Sequence, residues 1–229
     1  YEDENIMLLN KKVGLLSHPD DSEYIDTLIT RVKRYLFEKG EYIPDDEASF
    51  TPALVNRIDR NTGGIVIAAK TASALRILNQ KMKDRELHKF YLCVVHGKLK
   101  ESSGLLEGWL TKDEKKNKVF VSKEKKNEAS KLIRTKYNVL KYKNGLSLVE
   151  VDLLTGRTHQ IRVHMAYIGH PVAGDEVYGP KKVIAYLSGQ CLHAKKLGFT
   201  HPNGQYLEFE SELPKYFNEF LDRCRSGRA

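Results

Sequence analysis

The sequence contains little cysteine and no long apolar segment. Only three cysteines occur, Cys93, Cys191 and Cys224, and they stand at no paired or metal-ligand spacing. This usage is typical of reduced thiols in a cytosolic protein. No apolar run is long enough to span a membrane, and no charged-then-apolar leader is present. We therefore expect a cytoplasmic protein without a membrane segment or a secretion signal.

The sequence also lacks the motifs by which many enzymes bind nucleotides or metal ions. Neither a G-x-x-x-x-G-K-[ST] loop nor a G-x-G-x-x-G fingerprint is present. His159 and His164 are five positions apart, so they do not share a helix face as an H-x-x-x-H zinc pair would. His193 and His201 lie in separate segments without a ligand partner at suitable spacing. We expect no metal site, no nucleotide hydrolysis and no dinucleotide cofactor.

Positive charge exceeds negative charge along the chain. The 38 Lys and Arg residues against 30 Asp and Glu residues give a net charge of +8, which favours a polyanionic partner such as nucleic acid. The 229 residues contain no internal repeat and no low-complexity linker. We expect a monomer with one catalytic domain over residues 1–229. Because the chain begins at Tyr1 without an initiator Met, we also expect it to be part of a longer protein.

Periodicity and turn signals predict a sheet with several hairpins. Strands are predicted at residues 6–10, 65–69, 91–95, 132–141, 146–154, 197–200 and 206–209. Asn144-Gly145 and Asn203-Gly204 each separate two of these strands, and Asn-Gly is a strong hairpin signal. With the helices between them, the strands indicate an α+β class built on a mainly antiparallel or mixed sheet.

Helices are predicted where a capping residue precedes an apolar face. The first would follow Asp20, Asp21 or Ser22 and carry Ile25, Leu28, Ile29, Val32 and Leu36 on its apolar face. The others would follow Thr71, run from about 158 to 168 and end at Gly169, and follow Pro214.

Lysine is concentrated between Lys112 and Asn127. The segment contains Lys112, Lys115, Lys116, Lys118, Lys123, Lys125 and Lys126, interrupted by an apolar run at 119–121. A solvated hairpin and a phosphate-contacting patch both fit this pattern, and both interpretations stay open.

Residues 56–64 read N-R-I-D-R-N-T-G-G and lead into the apolar strand 65–69. One carboxylate, Asp59, stands between Arg57 and Arg60, ahead of a Thr-Gly-Gly turn. Catalytic groups are often held on a tight turn against a rigid element. For an isolated R-x-D-R pattern, however, a structural acid paired with one of its arginines is the favoured interpretation.

Three further stretches change that interpretation. They are K-F-Y at 89–91, L-T-G-R-T-H-Q-I-R-V-H at 154–164 with G-H-P at 169–171 and G-D-E-V-Y-G at 174–179, and C-L-H-A at 191–194 with F-T-H-P at 199–202. In this order and spacing the chain resembles the RluA-type pseudouridine synthases, whose signatures are H-R-L-D-x-x-T-S-G, K-x-Y and G-R-T-H-Q-I-R-V-H. The resemblance also includes the openings 1–6 and 14–19 and spans almost the whole chain.

The resemblance implies a fold and an activity. The fold is a long bent sheet with helices and loops around a central cleft. The activity is isomerisation of uridine to pseudouridine in RNA, without a cofactor. Large-subunit ribosomal RNA is the expected substrate, and transfer RNA is the closest alternative. Many members carry a small RNA-binding domain ahead of the catalytic one, and we expect none in this chain.

The resemblance also implies roles for three catalytic residues. Asp59 corresponds to the aspartate that attacks the anomeric carbon, removes a sugar proton or adds to the uracil ring, and these routes stay open. Arg162 corresponds to the arginine that pairs with this aspartate and keeps it ionised. Tyr91 corresponds to the tyrosine that stacks on the flipped uracil and assists proton removal from carbon 5.

Five basic residues are expected to contact RNA: Arg57, Arg60, Arg157, His159 and Lys89. Arg57 stands where the family places a side chain that fills the gap left by the flipped base, although a salt bridge explains it nearly as well. Arg157 is interpreted as a phosphate contact or a structural pair.

The sequence departs from the family signature at several positions. Asn56, Ile58 and Gly63 replace the usual His, Leu and Ser, and K-V-G at 12–14 replaces P-A-G. These changes leave the catalytic residues in place and bear on which RNA site is chosen.

Two functions from other classes compete with this interpretation. One is a catalytically silent RNA-binding or assembly factor that kept the fold. The other is a glycoside or nucleoside hydrolase using Asp59, which needs a second carboxylate, and Asp175 or Glu176 are the candidates within motifs.

Overall fold

The structure is a computed structural model that describes residues 1–46, 48–113, 118–180, 187 and 189–226. The chain divides into two compact units. Unit 1 comprises Tyr1–Leu87 and Lys196–Ser211, and unit 2 comprises His88–Lys195 and Glu212–Ala229. The single catalytic domain stays a prediction.

The described residues form ten strands and four helices. The strands are β1 (Ile6–Lys11), β2 (Ala53–Leu54), β3 (Gly63–Ala69), β4 (His88–His96), β5 (Ser103–Asp113), β6 (Lys118–Ser122), β7 (Lys131–Lys143), β8 (Leu146–Asp152), β9 (Leu192–Thr200) and β10 (Tyr206–Glu210). The helices are α1 (Leu28–Glu38), α2 (Ala72–Lys83), α3 (Gln160–Tyr167) and α4 (Lys215–Ser226). The α+β class predicted from the sequence is confirmed.

Strand β3 is the centre of unit 1. It pairs antiparallel with β1 and β2, and all seven of its residues are buried. Because side chains alternate along a strand, Ile65 and Ile67 face one side and Ala68 the other. The isoleucines pack against α2 through Leu78, and Ala68 packs against α1 through Val32. This double cover explains why β3 is a continuous apolar run.

Unit 2 is built on the strand order β9-β4-β8-β7-β5-β6, and β9 has residues in both units. The pairings of β4 with β8, β8 with β7, β7 with β5 and β5 with β6 are antiparallel. Helix α3 packs on Leu110, Val119 and Ile133 through Val163. Helix α4 packs on β4 and β8 with two buried phenylalanines, Phe217 and Phe220.

Both predicted hairpins are confirmed. Strands β7 and β8 meet at Asn144 and Gly145, whose φ angles of 52° and 78° are those of a left-handed two-residue turn. Strands β9 and β10 also pair, but their turn is longer than the Asn-Gly pair. It is closed by a hydrogen bond from the His201 N–H to the Gln205 carbonyl oxygen at 2.8 Å.

The predicted start of α1 is wrong. The helix begins at Leu28 after Thr27, whose side chain forms a capping box with Thr30. The acids upstream cap turns instead: Asp20 accepts from two backbone N–H groups of its own loop. As a result Ile25 lies outside the helix and is 82% exposed. The prediction that Thr71 caps α2 is confirmed by a 3.2 Å hydrogen bond from the Ala74 N–H.

The lysine-rich segment contains a hairpin. Strands β5 and β6 pair antiparallel from Trp109 opposite Ser122 to Asp113 opposite Lys118. Lys115 and Lys116 lie outside the described residues. Contact of these lysines with phosphate stays a prediction. None of the helices in the described part of the chain is long and apolar enough to cross a membrane.

Candidate active site

Asp59 lies on the connection between β2 and β3 in unit 1. Its carbonyl oxygen accepts a 3.0 Å hydrogen bond from the Thr62 N–H, which closes a tight turn. Gly64 has a φ of 116°, which favours glycine, and it already belongs to β3, so the strand begins earlier than predicted. Asn56, at the other end of the connection, accepts a 2.8 Å hydrogen bond from the Ile67 N–H. The turn is therefore tied at both ends to the buried strand.

The residues beside Asp59 are held by a neighbouring loop. The Ser17 hydroxyl donates to the Ile58 carbonyl oxygen at 2.8 Å. Arg60 is exposed, but its Nε donates to the Gly14 carbonyl oxygen at 3.1 Å and its Nη1 to Ser22 Oγ at 3.3 Å. Arg57 is exposed and Asp59 is half-buried. Along the chain, the half-buried Asp59 thus stands between two exposed arginines.

Lys11 is a functional candidate that the sequence reasoning missed. Its side chain is 2% exposed, and its ammonium donates to the carbonyl oxygens of Lys12, Leu15 and Arg60 at 3.0, 2.6 and 3.0 Å. Burial lowers the pKa of Lys11 to about 8, and the negative charge of Asp59 opposes that shift. A buried cation therefore supports the Asp59 turn. The only signal in the sequence is a lysine at the end of an apolar strand.

Lys89 and Tyr91 lie on β4 in unit 2, and both are buried. Tyr91 stands opposite Val151 of β8. The Lys89 amine lies beside Gly156, where an added Cβ would be 3.3 Å from Nζ. Burial lowers the pKa of Lys89, and the charge of Asp152 opposes the shift. The structure thus brings the K-x-Y motif against the glycine of the G-R-T-H-Q-I-R motif.

Gln160 anchors α3 to β7. Its Oε1 accepts from the Thr155 hydroxyl at 2.8 Å and from the Arg157 N–H at 3.1 Å. Its Nε2 donates to the Arg134 carbonyl oxygen and to Thr135 Oγ1, both at 3.0 Å. All the hydrogen-bonding capacity of this buried amide is used, so the start of α3 has a defined position.

Arg162 forms a bidentate ion pair with Asp175. Its Nε donates to Oδ2 at 2.7 Å and its Nη2 to Oδ1 at 2.9 Å, and both side chains are buried. Burial raises the pKa of Asp175, but the hydrogen bond and charge of Arg162 outweigh it and hold this pKa below its usual value. The guanidinium plane is thereby fixed.

Arg157 and His159 lie just before α3. Arg157 is exposed, in keeping with a contact to a partner, while its backbone is tied to Gln160. His159 has a φ of 55° and gives α3 no side-chain cap. Its Nδ1 lies 3.0 Å from the Tyr178 hydroxyl.

The two candidate acids for a hydrolase are placed differently. Asp175 is engaged by Arg162 and by the N–H groups of Val177 and Tyr178. Glu176 is exposed. A carboxylate occupied by four donors is a poor base for activating water. Across the described ranges, no group of three or more His, Cys, Asp or Glu side chains could hold a metal ion.

Comparison with known proteins gives a consistent result. A family model described as RNA pseudouridylate synthase matches residues 5–167. The uncharacterized RNA pseudouridine synthase YlyB of Bacillus subtilis is 36% identical over 229 residues, covering 99% of this chain and 72% of that protein. Ribosomal large subunit pseudouridine synthase D of Borreliella burgdorferi is 37% identical over 222 residues, covering 96% of this chain and 66% of that protein.

Two further matches extend the comparison. Ribosomal large subunit pseudouridine synthase C of Vibrio vulnificus is 32% identical over 234 residues, covering 100% of this chain and 69% of that protein. Among solved structures, Human RNA Pseudouridylate Synthase Domain Containing 4 has a TM-score of 0.77 at 23% identity, covering 98% of this chain and 92% of that chain.

Proposed function

This chain belongs to the RNA pseudouridylate synthase family, and from that premise we propose that it isomerises uridines of large-subunit ribosomal RNA with Asp59 as the catalytic carboxylate. The observation that carries the proposal is the family match over residues 5–167, which include Asp59, Tyr91 and Arg162. The relatives named as ribosomal large subunit pseudouridine synthases support ribosomal RNA as the substrate. The predicted pseudouridine synthase fold is confirmed by the structural likeness.

The reaction suits a single carboxylate. The bond between uracil N1 and ribose C1′ breaks, the base turns while bound, and C5 joins the same sugar carbon. C5 then loses its proton and N1 gains one, so the reaction has no net loss or gain of atoms. No water is consumed, and a second acid to activate water is not required. In this proposal Asp175 has no catalytic role, which agrees with its engagement by Arg162.

Arg162 and Tyr91 are proposed to act on the same uridine as Asp59. A guanidinium near a carboxylate favours the ionised form, so Arg162 would keep Asp59 anionic. Its pair with Asp175 supports this role, because the guanidinium is held in one orientation. Tyr91 would stack on the uracil and assist removal of the C5 proton.

The target uridine is proposed to leave its stack, with basic residues holding the surrounding RNA. Arg57 is exposed, in keeping with the proposal that its guanidinium fills the gap left by the base and also binds a phosphate. Arg157 is also exposed, Arg60 lies in the Asp59 motif and His159 in the G-R-T-H-Q-I-R motif. We propose that these three residues contact the sugar-phosphate backbone of the RNA. Lys89 is buried, so its proposed contact is with the bound nucleotide.

Release of tritium from C5 of uridine tests the proposal. The substrate is labelled ribosomal RNA, and in parallel transfer RNA, from a strain lacking this gene. We expect release by the wild type from ribosomal RNA and a loss of roughly 10³-fold in Asp59→Asn, the range for removing a group that acts in the transition state. Asp21→Asn, an exposed acid in the same unit, is the matched control and should keep wild-type activity.

Each other outcome overturns part of the proposal. Activity retained by a folded Asp59→Asn variant removes Asp59 from its role. Tritium release from transfer RNA alone would make transfer RNA, not ribosomal RNA, the substrate. No release by the wild type from either RNA, with RNA still bound, identifies a silent RNA-binding homologue.

A further inference from the structure

Tyr178 stands on a rigid loop in unit 2. Asp175 Oδ1 accepts from the N–H groups of Val177 and Tyr178 at 2.9 and 3.1 Å. The Gly179 N–H donates to the Asp175 carbonyl oxygen at 2.8 Å. At Gly179 an added Cβ would collide with that same carbonyl oxygen. The loop therefore holds the Tyr178 side chain at one place.

The Tyr178 hydroxyl joins β6 to the start of α3. Its oxygen accepts from the Val119 N–H at 3.2 Å and lies 3.0 Å from His159 Nδ1. Because a backbone N–H can only donate, the hydroxyl oxygen is the acceptor in its contact with Val119. Where a hydroxyl donates to Nδ1 of a neutral imidazole, the ring proton is on Nε2.

His159 has a backbone conformation that requires support. Its φ of 55° and ψ of 16° are unusual for a residue other than glycine, and its side chain does not cap α3. Such strain persists only where neighbouring groups hold the residue, and it is frequent at functional sites. The His159 and Tyr178 rings meet edge to face, with centroids 5.7 Å apart at 76°. Tyr178 is thus one of the groups that hold this ring.

The same tyrosine ring also lies against Arg162. The guanidinium carbon is 5.3 Å from the ring centroid. Arg162 is therefore held at its edge by Asp175 and at its face by Tyr178, two residues of one loop.

We propose that Tyr178 is a positioning residue for the synthase reaction. Its hydroxyl sets the His159 tautomer, so that the Nε2–H of His159 donates to an oxygen of the bound RNA, and its ring sets the plane of Arg162. The RNA part of this inference rests on the proposed function. Tyr178 itself does not touch the reacting atoms.

Nitrogen-15 NMR of the histidine side chains tests the proposal without any assay of activity. The His159 signals are assigned by their loss in His159→Gln. We expect the wild type to show the Nε2–H tautomer, and Tyr178→Phe, which lacks only the hydroxyl, to shift towards a mixture of tautomers. Tyr167→Phe, an exposed tyrosine on α3, is the control and should leave these signals unchanged.

Kinetics separate the two roles. In pseudouridine formation, Tyr178→Phe keeps the ring, so we expect a higher KM with kcat nearly unchanged. Tyr178→Leu also removes the ring that lies against the Arg162 guanidinium. We expect kcat/KM to fall by roughly 10-fold to 100-fold, with a decrease in kcat.

The two levels of the proposal fail separately. An Nδ1–H tautomer in the wild type, or unchanged signals in Tyr178→Phe, overturns the role of Tyr178. The expected signals in a protein that releases no tritium support the positioning of His159 and reject the synthase function.

Discussion

Lys11 is the residue whose chemistry most constrains the candidate site. Its three ammonium donors go to three backbone carbonyl oxygens, one of them in the Asp59 turn. Removing a buried donor leaves its acceptors without hydrogen bonds, which costs more than the bond itself contributes. The burial that lowers its pKa to about 8 is the unfavourable part of the arrangement. Between a pH of about 8 and 10.5, the pKa of lysine in the unfolded chain, only the unfolded state binds the proton. Stability should therefore rise with pH in this range.

Substitution of Lys11 by methionine should destabilise the protein strongly. Methionine keeps an unbranched side chain as far as Cε, but three carbonyl oxygens lose their donor, so we expect the free energy of unfolding to fall by about 3 kcal/mol. Lys12→Met is the matched control, because Lys12 is the exposed neighbour, and it should stay within about 0.5 kcal/mol. Urea unfolding measures both. Equal unfolding midpoints for the two variants would show that the Lys11 hydrogen bonds contribute nothing net.

Helix α3 shows how an element can depend on tertiary contacts. It has eight residues, no acid in its first turn and no side-chain cap, so it would not be stable in isolation. The Gln160 amide and the His164 imidazole instead attach it to Thr135 of β7. The Thr135 hydroxyl accepts from Gln160 and lies 2.9 Å from His164 Nδ1. Burial lowers the pKa of His164 to about 4, which keeps the imidazole neutral at physiological pH.

The protein should lose stability on acidification through His164. Its pKa is about 4 when folded and 6.5 in the unfolded reference, so between these values only the unfolded chain binds the proton. From pH 7 to pH 5 this group alone should remove about 2 kcal/mol. His164→Asn should lower the stability at pH 7 but show a smaller loss on acidification. Urea titrations at the two pH values measure it.

The control for this prediction is His88→Asn, because His88 is exposed. It should keep the wild-type dependence on pH. If His164→Asn has that same dependence, the buried imidazole is not responsible. Burial also lowers the pKa of His193 to about 4. His193 therefore adds a similar loss of stability on acidification to the wild type and to both variants.

At the scale of the whole molecule, the charge of +8 is the property most relevant to RNA. Part of the surface charge is neutralised by ion pairs, such as Arg31 with Asp26 and Lys125 with Glu128. Cations of the proposed site would instead displace counterions from the RNA.

RNA binding should therefore weaken linearly on a logarithmic salt scale. Each basic residue that contacts a phosphate contributes about 0.7 to 1 to the slope of log affinity against log salt concentration. We expect Arg57→Ala to reduce the slope by about that amount, measured as affinity for a ribosomal RNA fragment at several salt concentrations. Arg31→Ala, whose guanidinium is engaged by Asp26, should keep the wild-type slope. A slope unchanged by Arg57→Ala would place that residue away from phosphate.

Local signals explain what the sequence could predict. The turn at Asn144 and Gly145 depends on two neighbouring residues, and the cap at Thr71 depends on four consecutive residues. Both could therefore be predicted from the sequence. The prediction of where α1 begins was wrong because Thr27, and not one of the acids before it, caps the helix. Asp59, Tyr91 and Arg162 were identified as a set by their motifs, and their roles stay a proposal.

Contacts between distant positions explain the rest. Lys11 and Arg60 are 49 positions apart, and Gln160 and Thr135 are 25 apart. Arg162 and Asp175 belong to different motifs, and nothing in either motif indicates that they pair. Such partners depend on how strands and helices pack, which residue patterns along one chain do not specify.

The amine of Lys89 lies where Gly156 has no side chain. An alanine at 156 would bring a methyl group to 3.3 Å from Nζ, in a place where burial limits how far the lysine can move. A change at one position thus alters which residues the other accepts. Across related chains these two positions should covary, so that the K-x-Y and G-R-T-H-Q-I-R motifs evolve as one unit.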